Sequence, residues 1–154
     1  MANFDEVDRR TLEELQRDAR RSNKALADAA AVSPPTMLNR VRSLEQRGVI
    51  TGYHAQVDAA SLNRRVEAIV SVRLAPKTPE AVQEFIDAVW EMDETVGITL
   101  LTGPVDVQVH ISAPDVKSLG DTVLRRFANA PNVADEQTTI ILDHRRKHVL
   151  APLA

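Results

Sequence analysis

The stretch SPPTMLNRVRSLEQRGVITGY, residues 33–53, decides the fold of the N-terminal part of this chain. Met37, Val41 and Leu44 recur at positions i, i+4 and i+7, which predicts an amphipathic helix. Arginine and asparagine on its other side match the guanine and adenine edges of the DNA major groove, and serine and threonine bind phosphates. The stretch therefore predicts a DNA recognition helix; an ordinary solvated surface helix is the alternative.

Residues in and before this helix, all of them polar except Pro35, form the predicted DNA-binding site. They are Ser22, Ser33, Pro35, Thr36, Asn39, Arg40, Arg42, Ser43 and Arg47. We expect Arg40 and Arg42 to contact DNA, whereas Arg47 at the helix end is equally suited to a favourable interaction with the helix dipole. Glu45 is the one acid in residues 34–47, so the local charge of the helix is positive.

Two further helical patterns precede this helix. Residues 7–19 form the first, and residues 22–30 form the second, with Ser22 as its predicted N-cap. Ser33 is the next predicted N-cap, and the two prolines after it fit a first helical turn. Three short helices, the last two joined by a short turn, are typical of a helix-turn-helix domain.

The recognition helix is expected to end at Gly48, a predicted C-cap. An extended segment then runs to about Val57 as a short strand, and residues 59–63 form a linker. We therefore expect residues 1–52 to form the helix-turn-helix domain, residues 53–66 a hinge strand and linker, and residues 67–154 a second domain.

The second half of the chain has a different pattern of elements. Strands are predicted at residues 67–74, 96–101, 107–113 and 138–142, with helices opening at Thr78 and Asp115. The order βαββαβ is the ferredoxin-like arrangement, an antiparallel sheet with helices on one face. Ile69, Leu101 and Ile141 alternate onto the other face, so we expect a second subunit to cover it in a homodimer.

Composition excludes several classes of protein. The chain has 154 residues, 44% of them hydrophobic, and no cysteine, which rules out disulfides and thiolate chemistry. No apolar run approaches the ~18 residues of a membrane span, and residues 1–5 lack a signal-peptide core. We expect a cytoplasmic, nucleoid-associated protein. The net charge of −3 does not exclude DNA binding, because the local field decides phosphate contact.

Together these features resemble the Lrp/AsnC, or feast/famine, family of bacterial and archaeal regulators. The resemblance covers nearly the whole chain and is carried by residues 7–12, 15–20, 33–45 and 48–53 and by the βαββαβ half. It implies an α+β protein with a winged-helix-like DNA-binding domain and a regulatory domain similar to ACT domains. It also implies dimers that assemble into tetramers or octamers, and an amino acid or related metabolite bound between regulatory domains.

The resemblance places the effector site in the loop between the second and third strands of the regulatory domain. The loop residues are Thr102, Gly103, Pro104, Val105 and Asp106, which contain the family pattern Gly-x-x-Asp. Asp106 is expected to bind an effector ammonium, or alternatively to cap the turn. The chain departs from the family at Ala31, where a turn glycine is usual, and at Pro104, which removes a backbone N–H from the loop.

The leading hypothesis is a sequence-specific transcriptional regulator that binds double-stranded DNA at imperfect palindromes under the control of a small effector. An architectural protein that wraps DNA without an effector is the alternative. We expect no enzyme, metal or cofactor, because we find no nucleophile–base pair, phosphate loop or metal cluster. The basic residues 144–148 are either a solvated tail or, less simply, a secondary DNA or interdimer contact.

Overall fold

Three short helices form the N-terminal part of the chain in the computed structural model, which describes residues 4–153. They are α1 (Glu6–Arg17), α2 (Asn23–Ala29) and α3 (Pro34–Gln46). Each begins after a side chain that accepts a hydrogen bond from a backbone N–H of the first turn, namely Asp5, Ser22 and Ser33. The caps satisfy donors that the helices themselves leave unpaired, and the two predicted serine caps are confirmed.

Helix α3 ends at a left-handed glycine, as the sequence predicts. Gly48 has a φ of +67°, its N–H donates to the carbonyl of Glu45 at 2.9 Å, and the N–H of Val49 donates to the carbonyl of Leu44 at 2.9 Å. This pair of hydrogen bonds closes the helix and satisfies two of its last carbonyl groups. The short strand predicted next is wrong: residues 51–57 have no regular secondary structure, since no neighbouring strand in the described chain pairs with them.

The three helices pack around a small apolar core. Leu26, Ala27 and Met37 are buried, and Val7, Leu15, Ala30, Val32 and Val41 pack against them. The compact unit that contains this core, here called unit 1, comprises Met1–Gln56 and Arg145–Ala154. The structure thus groups the C-terminal segment with the helices, whereas the sequence pattern predicts it as part of the second domain.

The second compact unit, unit 2, is Val57–His144. After a 3₁₀ turn at Ala60–Leu62, its elements are β1 (Val66–Leu74), α4 (Pro79–Trp90), β2 (Thr95–Leu100), β3 (Val107–Ala113), α5 (Val116–Val123) with a π-helical extension Leu124–Ala128, and β4 (Val133–Ile140). The strand order is β2-β3-β1-β4, with every pairing antiparallel. This is the predicted ferredoxin-like sheet, although β4 begins and ends earlier than expected.

Helices α4 and α5 cover one face of the sheet. Val70, Val109, Phe85, Leu119 and Phe127 belong to a single buried cluster that joins both helices to the strands. On the opposite face the register pairs Ile69 with His110 on β3 and with Thr139 on β4, so this face is largely polar. An uncovered polar sheet face of this kind is compatible with solvent or with a second copy.

Replacing Ala31 by Gly is expected to raise the free energy of unfolding of unit 1 by about 1 kcal/mol. Ala31 has a φ of +53°, and this left-handed conformation strains alanine but not glycine. Urea unfolding followed by circular dichroism measures the change. Ala30→Gly is the matched control, because Ala30 has a φ of −100° and should lose about 0.5–1 kcal/mol. Equal losses in the two variants would show that position 31 carries no strain.

Candidate functional site

Burial of one side of α3 determines which of its side chains face solvent. Met37 and Leu44 are completely buried, so the opposite side of the helix points outward. The exposed residues of α3 and its C-cap are Pro34, Pro35, Thr36, Leu38, Asn39, Arg42, Glu45, Gln46 and Arg47, whereas Arg40 and Ser43 are half-buried. The exposed surface of α3 therefore centres on Asn39 and Arg42.

Arg40 is engaged by the start of α1 instead of being free at the surface. Its guanidinium Nη1 lies 3.2 Å from Oδ1 of the buried Asp8 and also contacts Asp5. The Asp8 N–H that donates to Asp5, together with Arg40, lowers the pKa of the Asp5 carboxyl. The Asp5 and Asp8 carboxylates in turn raise the pKa of Arg40. In the DNA-free chain, the guanidinium thus ties α3 to α1.

Ser33, Thr36 and Arg47 lie at the ends of α3, whereas Ser22 caps α2. The hydroxyls of Ser33 and Thr36 are 2.7 Å apart at the start of α3, and the Asn23 amide donates to the Pro34 carbonyl at 2.8 Å, which joins α2 to α3. At the other end, the Arg47 guanidinium lies 5.7 Å from the centre of the Phe4 ring. The hydroxyls of Ser33 and Thr36 thus lie at one end of α3, and the Arg47 guanidinium lies at the other end.

The predicted effector loop of unit 2 is anchored by its aspartate. Asp106 is only 3% exposed; its Oδ2 accepts the Leu74 N–H at 2.9 Å and its Oδ1 contacts the Lys77 ammonium. The Lys77 and Leu74 donors lower the pKa of the Asp106 carboxyl. Both carboxylate oxygens thus have partners within the subunit.

The remainder of the loop is held by backbone contacts. The Leu101 N–H donates to the Asp106 carbonyl at 2.8 Å, and the Asp106 N–H donates to the Val72 carbonyl at 2.9 Å. Gly103 has a φ of +134°, a conformation that favours glycine. Thr102, Gly103 and Pro104 are exposed and Val105 is half-buried.

Sequence reasoning missed Lys77 as a partner of this loop. It lies in the β1–α4 connection, 29 positions before Asp106, and no local spacing relates the two residues. Asp5 and Asp8 were missed as partners of Arg40 for the same reason. In each case the fold, not a motif, creates the ion pair.

Comparisons with known proteins agree with this architecture. Residues 67–149 match the Lrp/AsnC ligand binding domain, and residues 4–51 match a winged helix-turn-helix DNA-binding domain. The HTH-type transcriptional regulator AldR of Mycobacterium tuberculosis is 34% identical over 145 residues, which cover 94% of this chain and 81% of AldR. The leucine-responsive regulatory protein of Escherichia coli K12 is 33% identical over 144 residues, covering 91% and 85%.

Two solved structures show the same arrangement of elements. The complex of a Neisseria meningitidis transcriptional regulator with L-Met superposes with a TM-score of 0.87 at 26% identity, covering 98% of this chain and 97% of that one. The regulator from Agrobacterium tumefaciens, of the AsnC family, superposes with a TM-score of 0.86 at 26% identity, covering 97% of each chain.

The two matched domains and their fold define a winged helix-turn-helix transcriptional regulator with a ligand-binding domain. The chain belongs to the Lrp/AsnC family, a family of DNA-binding regulators and not of enzymes. The predicted family, fold class and non-enzymatic function are thus confirmed. Among residues 4–153, no helix is long and apolar enough to span a membrane.

The stability that Asp106 contributes is expected to be lost in acid. The folded-state pKa lies below the ordinary value of 3.8, so the contribution is complete above that value and disappears as the pH falls through the folded-state pKa. Asp106→Asn should lower the free energy of unfolding at neutral pH by about 1–3 kcal/mol and should flatten its decline in acid. Thermal unfolding across the acid range measures both effects.

Asp135→Asn is the matched control for this prediction. Asp135 pairs with Arg73 at 3.6 Å, but both side chains are largely exposed, so its loss should change stability little. An acid decline in Asp106→Asn as steep as in the wild type would contradict the assignment of the pH dependence to Asp106.

Proposed function

We propose that this regulator binds its DNA sites sequence-specifically, with α3 in the major groove and with Asn39 and Arg42 reading bases. The exposure of these two side chains on the face opposite the buried Met37 and Leu44 carries the proposal. Asparagine pairs bidentately with adenine and arginine with guanine, and each such pair discriminates by about 1–3 kcal/mol.

The remaining predicted DNA-binding residues are assigned to phosphates and to positioning. Ser22, Ser33, Pro35, Thr36, Ser43 and Arg47 flank the reading residues and are proposed to lie along the DNA backbone. Hydroxyls and helix N-termini suit phosphate contacts. Arg40 is proposed to act from its position between Asp5 and Asp8, where it fixes the rotation and position of α3 against α1.

The regulator is further proposed to work as a homodimer, with higher assembly into tetramers or octamers. Two recognition helices related by a twofold axis read sites about one helical turn apart, so the operator is expected to be an imperfect palindrome. The polar sheet face around Ile69 and His110, which α4 and α5 leave uncovered, is the proposed dimer surface.

The effector is proposed to be an amino acid or the related 2-oxo acid, bound at residues 102–106 between regulatory domains. The complex of the Neisseria meningitidis relative with L-Met supports this class of ligand, as does the name of the leucine-responsive relative. An effector of this kind changes DNA occupancy only if it binds one assembly more tightly than another.

An effector-independent architectural protein is the second candidate function. Two observations favour it: Pro104 removes an N–H donor from the loop, and both oxygens of Asp106 already have partners. This candidate predicts a small ratio of specific to random-sequence DNA affinity.

Asn39→Ala and Arg42→Ala are each expected to weaken operator binding by about 5- to 150-fold, corresponding to ~1–3 kcal/mol. Their affinity for random-sequence DNA should change much less. Gel-shift titration against an operator selected from a random pool measures both quantities. Arg9→Ala is the matched control, because Arg9 is an exposed arginine of α1 paired with Glu6. Equal losses for operator and random DNA would contradict base reading.

A thermal-shift screen with the twenty amino acids and their 2-oxo acids tests the effector. A ligand at about 100 times its Kd adds ~2.7 kcal/mol, which raises the Tm by a few degrees. Gly103→Ala should abolish the shift because its φ of +134° constrains the loop. Gly120→Ala in α5, where an added Cβ meets nothing within 4 Å, should retain it. If no ligand shifts the Tm and the affinity for the operator is close to that for random-sequence DNA, the architectural candidate would be favoured.

A further inference from the structure

The C-terminal segment is fastened to the DNA-binding unit by a pair of hydrogen bonds. The N–H of Leu150 donates to Oε1 of Gln16 on α1 at 2.9 Å, and Nε2 of Gln16 donates back to the Leu150 carbonyl at 3.2 Å. One side chain therefore holds both polar groups of one residue of the segment. This contact is not local, because 134 positions separate the two residues.

The same segment borders a cavity of unit 1. Leu150, Ala151 and Pro152 line a groove of about 460 Å³ together with Leu12, Leu15, Ile50 and other residues of unit 1. The segment therefore forms one wall of this cavity, opposite residues of α1 and of the chain that follows α3. The basic residues 145–147 directly precede this attachment in the sequence and belong to the same compact unit.

The segment changes the charge of unit 1. Residues 4–56 contain nine Lys/Arg and eight Asp/Glu, a net charge of +1. Residues 145–153 add Arg145, Arg146 and Lys147 and no acid, which raises the net charge to +4. A unit that is nearly neutral by itself thus becomes clearly basic, which is the electrostatic signature of binding to nucleic acid.

Many cations of residues 4–56 are already neutralised within the unit. Arg9, Arg10, Arg17, Arg21 and Arg40 all form ion pairs with acids of the N-terminal helix or its cap. Arg146 and Lys147 are exposed and form no ion pair with an acid anywhere in residues 4–153. They therefore retain their attraction for an external polyanion.

We propose that Arg146 and Lys147 form a second DNA-contacting element, which the hydrogen bonds between Gln16 and Leu150 hold beside the helix-turn-helix. Its partner is the phosphate backbone of duplex DNA outside the stretch that α3 reads. Lysine and arginine contacts to phosphate oxygens position a protein on DNA but carry no base information. The element thus adds affinity and salt dependence without adding sequence preference.

The salt dependence of DNA binding tests this proposal. The double variant Arg146→Ala/Lys147→Ala removes two phosphate contacts per protomer, so the slope of log K against log salt should become shallower by about 2 per protomer. Fluorescence anisotropy with a random-sequence duplex and with a selected operator measures the slope. Because phosphates are shared by all sequences, both duplexes should lose affinity by a similar factor.

A charge-matched control separates contact from net charge. Arg125→Ala/Arg126→Ala removes two exposed arginines from unit 2 and should leave the slope near that of the wild type. A slope in Arg146→Ala/Lys147→Ala equal to that of the wild type would overturn the proposal. So would an equal change in the two double variants, because it would show a general charge effect.

The anchor is tested by Gln16→Ala, which changes no charge. Loss of the two hydrogen bonds to Leu150 should lower DNA affinity severalfold, and should have little effect when Arg146 and Lys147 are already alanine. Circular dichroism checks that the helices remain folded. An unchanged affinity in Gln16→Ala would overturn the anchored arrangement. Equal losses in the presence and absence of the two cations would also overturn it, because the effect would then lie in α1 itself.

Discussion

The complete burial of Met37 and Leu44 is the constraint on which the DNA-binding surface depends. Burying such side chains is worth about 1.5–3 kcal/mol each, and Met37 also accepts the hydroxyl of the buried Thr11 at its sulfur, 3.4 Å away. These contacts fix the rotation of α3 about its own axis relative to α1 and α2. Asn39 and Arg42 face outward as a consequence, and Arg40 is turned toward Asp8.

The acidic start of α1 shapes the electrostatics of unit 1. Asp5 caps α1 and Asp8 lies in its first turn, where negative charge is favourable, and the same two carboxylates hold Arg40. Because several arginines of the unit serve internal ion pairs, the surviving positive field comes from a few exposed side chains. A net charge of −3 for the chain is therefore compatible with DNA binding, since residues 4–56 and 145–153 of unit 1 together carry a net charge of +4.

Local signals in the sequence were enough to predict most of the fold. The caps Ser22, Ser33, Thr78 and Asp115 all accept the expected backbone N–H groups. Strand β3 was predicted with its exact bounds because Val107, Val109 and Ile111 alternate with polar residues. The strand predicted after α3 is wrong, since an extended segment becomes a strand only when another strand pairs with it.

The candidate sites were predictable only in part, because their important contacts join distant positions. The polar content of α3 was visible in its sequence, but the pairing of Arg40 with Asp8 depends on how α1 packs. Likewise, Gly103 and Asp106 were visible as a motif, whereas Lys77 reaches the loop only through the fold. The return of the C-terminal segment to Gln16 had no local signal at all.

The anchoring of Asp106 explains how the loop tolerates Pro104. The loop is closed by the bond from Leu101 to the Asp106 carbonyl and fixed by the bond from Asp106 to Val72, and neither requires an N–H at position 104. Pro104 therefore leaves both hydrogen bonds intact. Because proline lowers the conformational entropy of the unfolded chain, it also favours the folded conformation of the loop. A carboxylate bound here must then take its donors from residues other than Pro104. The exposed Lys77 ammonium uses one N–H donor for Asp106 and can donate two further hydrogen bonds.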